Sequence, residues 1–122
     1  MPDGGRVVVN LATGLEDPER VTVAFLVGGA ALDAGKRVAF FLTKEAVRLG
    51  LPGHARGVAC DGCPPLERLF EQAIEKGAEL LVCPICLQAR GLDGAELVPN
   101  ARVAGATPLW EWIGEGATVF SY

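Results

Sequence analysis

The sequence lacks any concentration of basic residues. Its eight arginines and three lysines are scattered without a run, and fifteen acidic residues outnumber them. The net charge is therefore −4, and the pI lies near 4.9. Because proteins that bind nucleic acids usually carry a basic patch or stripe, the composition predicts a chain without a nucleic-acid partner.

Long hydrophobic segments are also missing. The longest apolar stretch, residues 21–32, is shorter than the ~20 residues that a membrane-spanning helix needs. The polar residues 1–5 show no signal peptide. The sequence therefore predicts a cytoplasmic protein with no membrane partner. In that reducing compartment, paired cysteines are more often redox, sulfur-carrying or metal-binding groups than structural disulfides.

Nucleotide-binding glycine motifs, internal repeats and linkers are absent as well. Gly28 and Gly29 lie inside an apolar segment rather than after a strand, so they form no dinucleotide or phosphate loop. A length of 122 residues suits one domain, and we predict a single domain over residues 1–122. Such a chain can bury enough apolar surface to fold without metal or disulfide support.

Apolar runs alternate with helical patterns along the chain. Strands are predicted over residues 6–10, 37–42, 79–82, 101–104 and 117–121, and helices over 18–34, 43–50, 66–76, 84–90 and 107–113. Buried strands that alternate with helices are typical of a parallel sheet covered on both faces. We therefore predict an α/β fold with three layers and about five, mainly parallel, strands.

The helix predicted over residues 18–34 is apolar on nearly all sides. In a domain of this size the sheet covers only one side of it, so neighbouring elements or another subunit must cover the rest. Gly28 and Gly29 indicate a close backbone approach, since glycine costs about 1 kcal/mol in a helix interior. We expect a homo-oligomer with this helix, or the apolar surface beside it, in the contact.

Cys83 and Cys86 are the strongest candidates for chemistry. They follow a predicted strand and open a helix, with Pro84 at the first helical position. Their spacing puts both sulfurs on one side of the first turn, where unpaired N–H groups stabilise a thiolate. Ligands bind at this carboxyl edge of parallel sheets. The alternative interpretation is that both are inert, buried thiols.

Cys60 and Cys63 form a second pair with the same spacing. Together with Cys83 and Cys86 they match the pattern of a four-cysteine zinc site. The intervening segment, however, predicts a helix and a buried strand rather than the short hairpins of a zinc ribbon. Zinc thus stays the alternative to a protein without a cofactor.

Several polar residues are candidates for lining a pocket around Cys83. Asn10 and Thr13 follow the first strand, and Lys44 and Arg90 could supply positive charge near the cysteines. Turn chemistry explains the first two equally well, and the two cations could simply be solvated. His54, the only histidine, is more simply explained as a solvated or packed loop residue than as a base.

The segment 81–92, LVCPICLQARGL, resembles the DsrE/DsrF-like family. In that family a cysteine ends a strand and is followed by a short helix that closes in an Arg-Gly pair. The residues Val103-Ala104-Gly105-Ala106, the last strand and the Asp17-Pro18 helix start are also similar. The resemblance implies a flavodoxin-like fold that assembles into trimers or hexamers.

In the sulfur-relay members of that family, the cysteine at the position of Cys83 carries sulfur as a persulfide. The resemblance therefore implies a sulfur-carrier or thiol-transfer protein with Cys83 as the nucleophile and a donor or acceptor protein as partner. Cys86, in which this sequence departs from the relay members, is a candidate resolving thiol because it lies on the same side of the helical turn. Sulfurtransferase is the candidate enzyme activity, and whether the chain catalyses a reaction stays open. The alternatives are a zinc-binding module with Cys60, Cys63, Cys83 and Cys86 as ligands, and an oligomeric binding module without catalysis.

Overall fold

A computed structural model describes residues 5–94 and 96–122. Its elements are β1 (Arg6–Leu11), α1 (Pro18–Asp33), β2 (Arg37–Leu42), a 3-10 helix (Lys44–Gly50), α2 (Leu66–Glu75), β3 (Glu79–Val82), α3 (Pro84–Ala89), β4 (Ala101–Val103), α4 (Ala106–Ile113) and β5 (Thr118–Ser121). They follow the order predicted from the sequence, with bounds that agree or differ by one residue. The segment after β2 forms a 3-10 helix, and Thr43 makes no side-chain capping hydrogen bond there.

The strands form one sheet in the order β4-β3-β2-β1-β5. Every neighbouring pair is parallel; Val8 of β1, for example, pairs with Ala39 of β2 on one side and with Val119 of β5 on the other. The predicted α/β fold with a five-stranded parallel sheet is confirmed.

The two faces of the sheet carry two separate cores. Alternate strand residues such as Val9 and Phe40 pack against α1 and α2. Phe40 stacks on Phe25 of α1, with the ring centroids 4.4 Å apart. The intervening strand residues, among them Val8, form a smaller core with Trp112 of α4. Helices therefore cover both faces, as predicted, and the larger core lies under α1 and α2.

Helix α1 begins as its sequence predicts. Asp17 is the N-cap, and its Oδ1 accepts a hydrogen bond of 3.1 Å from the backbone N–H of Arg20. Gly28 is buried over Phe40, and a Cβ atom at Gly28 would overlap the ring. The predicted close approach is therefore real at Gly28, whereas open space surrounds the Cβ position of Gly29.

A carboxylate at the start of β3 holds α4 to the sheet. Glu79 Oε2 accepts a hydrogen bond of 2.7 Å from the indole Nε1 of Trp112, and Oε1 accepts one of 2.9 Å from Arg102. Arg37 Nη2 lies 3.5 Å from Glu79 Oε2, and the guanidinium of Arg37 lies over the Trp112 ring. Burial acts to raise the pKa of Glu79, but these hydrogen bonds and positive charges outweigh it and lower the pKa. Glu79 is thus a charged link between two layers.

Candidate functional site

Cys83 lies at the carboxyl edge of the sheet, directly after β3, the second strand from one end. Its backbone N–H donates a hydrogen bond of 3.0 Å to the carbonyl of Leu42, the last residue of β2. On the other side, the N–H of Ala104 donates one of 2.9 Å to the carbonyl of Val82. The backbone segment that follows β3 is therefore held between the segments that follow β2 and β4.

The turn at Cys83 has the geometry that its sequence predicts. Cys83 is the N-cap of α3 with an extended backbone (φ −64°, ψ 121°), Pro84 is the first helical residue, and Cys86 the third. Both cysteines are half-buried free thiols that pack against the larger core. Ile85 between them is 74% exposed. Both cysteines are therefore partly buried, with an exposed side chain between them.

Arg90 ties the end of α3 to the 3-10 helix. Its Nε donates a hydrogen bond of 2.5 Å to Glu45 Oε2, and its Nη1 donates one of 3.2 Å to the backbone carbonyl of Cys86. Glu45 Oε1 also accepts a hydrogen bond of 2.8 Å from Arg48 Nε. The guanidinium of Arg90 is thus engaged by the protein itself, which makes it a positioning group for the turn that carries the thiols.

Glu45 is the acidic centre of this network. Hydrogen bonds from Arg90 and then from Arg48 lower its pKa, and partial desolvation opposes them only in part. The carboxylate therefore stays ionised at neutral and mildly acidic pH. The backbone of Glu45 lies close to Gly14. A Cβ atom added at Gly14 would be only 2.7 Å from the Glu45 carbonyl oxygen.

His54 lies close enough to Arg48 and Glu45 to feel their charges. Burial lowers its pKa, and the charge of Arg48 adds to that effect, while Glu45 opposes it. His54 also lines a cleft of about 160 Å³ between the loop after the 3-10 helix and α2. Its lowered pKa indicates a neutral imidazole at neutral pH.

The remaining predicted pocket residues are not all beside the cysteines. Asn10 Nδ2 donates a hydrogen bond of 3.4 Å to Ser121 Oγ, towards β5; β1 lies two strand spacings, or about 10 Å, from β3. Thr13 is buried in the loop after β1, and Lys44 is exposed with a left-handed backbone (φ 52°). Of the four, only Arg90 makes a hydrogen bond to the helix of the cysteines.

Cys60 and Cys63 are joined by a disulfide bond. Paired in this way, their sulfurs do not offer the thiolates that zinc requires. Across residues 5–94 and 96–122, moreover, no three or more histidine, cysteine or acidic side chains are grouped so that they could hold a metal ion. The zinc alternative therefore finds no support in the described geometry.

Sequence analysis did not identify Glu45 and Arg48 as site residues. Their spacing of three within a helical turn is a local signal for an ion pair. The decisive partner, Arg90, is 45 positions away from Glu45, and only the fold brings it to the 3-10 helix.

Two relatives share recognisable sequence with the chain. The uncharacterized protein MK0008 of Methanopyrus kandleri is 33% identical over 104 residues, which are 85% of this chain and 83% of that protein. The uncharacterized protein MJ0760 of Methanocaldococcus jannaschii is 27% identical over 94 residues, or 77% of this chain. The matched region spans only 34% of that longer protein.

Solved structures and a family model give the wider relationship. The ychN protein of E. coli superposes with a TM-score of 0.77 at 18% identity, covering 97% of this chain and 98% of its own. The protein of unknown function MTH1491 of Methanobacterium thermoautotrophicum gives 0.72 at 16% identity, covering 97% and 99%. The model of the DsrE/DsrF-like family matches residues 6–122. The chain therefore belongs to the DsrE/DsrF-like family.

Proposed function

We propose that the chain is a cysteine-based sulfur carrier of the sulfur-relay type, with Cys83 as the persulfide-forming nucleophile. The observation that carries this proposal is a free, partly buried cysteine at the carboxyl edge of the sheet, at the start of α3, in a member of the DsrE/DsrF-like family. A carrier thiol must be reachable by the donor and held by the protein, and Cys83 meets both needs.

The loading step is an exchange of sulfur between thiols. The thiolate of Cys83 attacks the terminal sulfur of a donor persulfide, forming one S–S bond as the donor S–S bond breaks. The donor leaves as a thiolate, and the proton stays on the transferred sulfur or passes to solvent. Sulfur oxidation states are conserved across the exchange, so the step needs no external oxidant.

Unloading can follow two routes. An acceptor thiolate attacks the terminal sulfur and leaves Cys83 as a thiolate. Alternatively, the thiolate of Cys86 attacks Cys83 Sγ, forms a Cys83–Cys86 disulfide and releases hydrosulfide, which takes the two electrons that the thiols give up. Cys86 is the third helical residue after the N-cap Cys83, so both side chains lie on one side of the first turn. Cys86 is therefore the proposed resolving thiol.

The network around Glu45 supports this function by holding the turn. Arg90 binds both Glu45 and the carbonyl of Cys86, so the 3-10 helix and α3 form one unit. Displacements of about 1 Å can slow a positioned reaction by roughly a hundredfold. We assign Arg90 and Glu45 a positioning role and leave the reacting atoms to the two cysteines.

The proposal includes a homo-oligomer and a sulfur donor or acceptor protein as partners. Four apolar side chains of α1 and β5 are 39–53% exposed in the single chain: Val23, Leu26, Val119 and Phe120. Val119 pairs with Val8, which faces α4, so these side chains lie on both faces of the sheet. Exposed apolar side chains of this size favour burial against another subunit. Sedimentation at tens of micromolar should give a trimer or hexamer, and a monomer would contradict this part of the proposal.

Persulfide mapping tests the carrier role. The native chain, Cys83→Ser and Cys86→Ser are incubated with cysteine persulfide, and the modified cysteines are assigned by mass spectrometry. We expect sulfur on Cys83 of the native chain, none in Cys83→Ser, and accumulation in Cys86→Ser because the resolving thiol is gone. Uptake by Cys83→Ser at the native rate would refute the assignment. Slow alkylation of every cysteine at neutral pH would instead favour a purely structural role.

A further inference from the structure

The turn that holds Cys60 and Cys63 keeps its shape by non-covalent means. The backbone N–H of Cys63 donates a hydrogen bond of 3.0 Å to the carbonyl of Cys60, and Gly62 supplies the left-handed residue of the turn (φ 77°). The two Cα atoms are 5.1 Å apart, within the range that a disulfide requires. Because glycine adopts this backbone without strain, the reduced turn keeps the two thiols in place for reoxidation.

The disulfide lies outside the packed interior. Neither Cys60 nor Cys63 is among the described residues of the two cores, whereas Cys83 and Cys86 pack against the larger one. The neighbours Ala59, Asp61, Gly62 and Pro64 are all exposed. Cys60 and Cys63 are themselves partly buried, but the contact between Cys63 Sγ and the Asp61 carbonyl is exposed. An external thiol can therefore approach the pair, and cleavage of the bond removes no member of the described cores.

The bond is also a poor structural staple. It joins residues only three positions apart. The entropy that a disulfide removes from the unfolded chain falls as the closed ring becomes shorter, so this ring stabilises the fold little. A disulfide that is accessible, lies on a preformed turn and stabilises the fold little is suited to reversible reduction and reoxidation.

We propose that Cys60 and Cys63 form a redox-active site that exchanges its disulfide with the dithiol of a partner protein, separately from the sulfur chemistry of Cys83. In the forward step a partner thiolate attacks one sulfur of the pair, the Cys60–Cys63 bond breaks, and a mixed disulfide forms. The second partner thiolate then attacks that mixed disulfide. Two electrons and two protons pass to Cys60 and Cys63, and the partner leaves as a disulfide. A disulfide oxidant reverses the reaction.

The two cysteine pairs act as separate sites. No group of three or more candidate metal ligands, cysteines included, occurs within the described part of the chain, so the sulfurs do not form one cluster. The redox site can therefore be tested without relying on the sulfur-carrier role of Cys83.

The experiment uses the full-length double variant Cys83→Ser/Cys86→Ser, in which Cys60 and Cys63 are the only cysteines. It is equilibrated in buffers with varied ratios of reduced to oxidised dithiothreitol, quenched, alkylated and weighed by mass spectrometry. We expect one reversible two-electron transition, identical from either direction, with unchanged far- and near-UV circular dichroism. Failure to reoxidise, or unfolding upon reduction, would overturn the proposal.

A protein dithiol tests the partner class. Reduced thioredoxin serves as the probe, and dithiothreitol at equal thiol concentration is the comparison. We expect faster reduction of the Cys60–Cys63 bond by thioredoxin than by dithiothreitol, because the exposed turn admits a protein thiol. A rate with thioredoxin at or below that of dithiothreitol would overturn the assignment of a protein partner. The native chain should give the same transition for this pair.

Discussion

The packing of Gly28 against Phe40 predicts opposite effects for two adjacent glycine substitutions. In Gly28→Ala, the new Cβ would overlap the Phe40 ring. That ring cannot move aside easily, because it is fully buried and stacked on Phe25. In Gly29→Ala, the new methyl group would meet open space. Both variants gain the same helix propensity. The difference between their free energies of unfolding therefore measures the packing cost.

The magnitudes follow from these two contributions. Alanine in place of glycine stabilises a helix interior by roughly 0.5–1 kcal/mol. Overpacking a filled core costs typically 1–3 kcal/mol, and the overlap at Gly28 places its cost near the upper end. We therefore expect Gly29→Ala to raise the free energy of unfolding by about 1 kcal/mol, and Gly28→Ala to lower it by about 2 kcal/mol.

Urea unfolding followed by circular dichroism measures both variants. They should be compared at one protein concentration, because the stability of an oligomer depends on it. A Gly28→Ala variant as stable as Gly29→Ala would refute the close contact between α1 and the sheet.

Three further predictions concern the charged networks and the strained backbone. Glu79→Gln should lower the free energy of unfolding by about 1–2 kcal/mol through weaker hydrogen bonds to Trp112 and its neighbours. Because the folded pKa of Glu79 is lowered, its contribution is present above the ordinary pKa of about 4.3 and is lost as the pH falls through the folded value. An acid titration of stability should thus fall more steeply for the native chain than for Glu79→Gln, and parallel curves would contradict this. Glu45→Gln should slow sulfur uptake at Cys83 by about tenfold to a hundredfold without unfolding the chain, since Arg90 loses its ionic partner. If a quenched time course of sulfur uptake gives a rate equal to the native one, Glu45 has no positioning role. Lys44→Gly should raise the free energy of unfolding by up to about 1 kcal/mol, and with it the thermal midpoint, because a left-handed backbone costs a residue with a Cβ atom about 1–2 kcal/mol. A lower midpoint would count against this.

The parts of the fold that the sequence predicts are those with local signals. Asp17 and Pro18 mark the start of α1, and Cys83 followed by Pro84 marks the start of α3 at the end of a buried strand. Parallel strands place their carboxyl ends at one edge, so the location of Cys83 follows from the order of the elements. The two helix starts need only neighbours within one helical turn, and the edge location of Cys83 needs only the order of the elements.

The parts that the sequence does not predict depend on distant partners. Arg90 is a plausible cation for a pocket, yet in the fold Glu45 and the Cys86 carbonyl already occupy its guanidinium. Asn10 sits at the predicted edge but turns to Ser121 of the last strand. The helix over Gly28 and Gly29 suggests a close approach without showing that only Gly28 contacts the sheet. These contacts depend on which helices and strands the fold brings together.

One measurement tests the sulfur-carrier role most directly: where a labelled sulfur resides before and after transfer. The native chain is loaded with a sulfur-labelled persulfide donor, and samples taken before and after addition of an acceptor thiol are alkylated at once, so that Cys86 has no time to resolve the persulfide. They are digested with trypsin and analysed by tandem mass spectrometry to separate Cys83 from Cys86 within the peptide 77–90. We expect label on Cys83 that leaves when the acceptor thiol is added. Label that resides only on Cys86, or on Cys60 and Cys63 in the peptide 57–68, would contradict it.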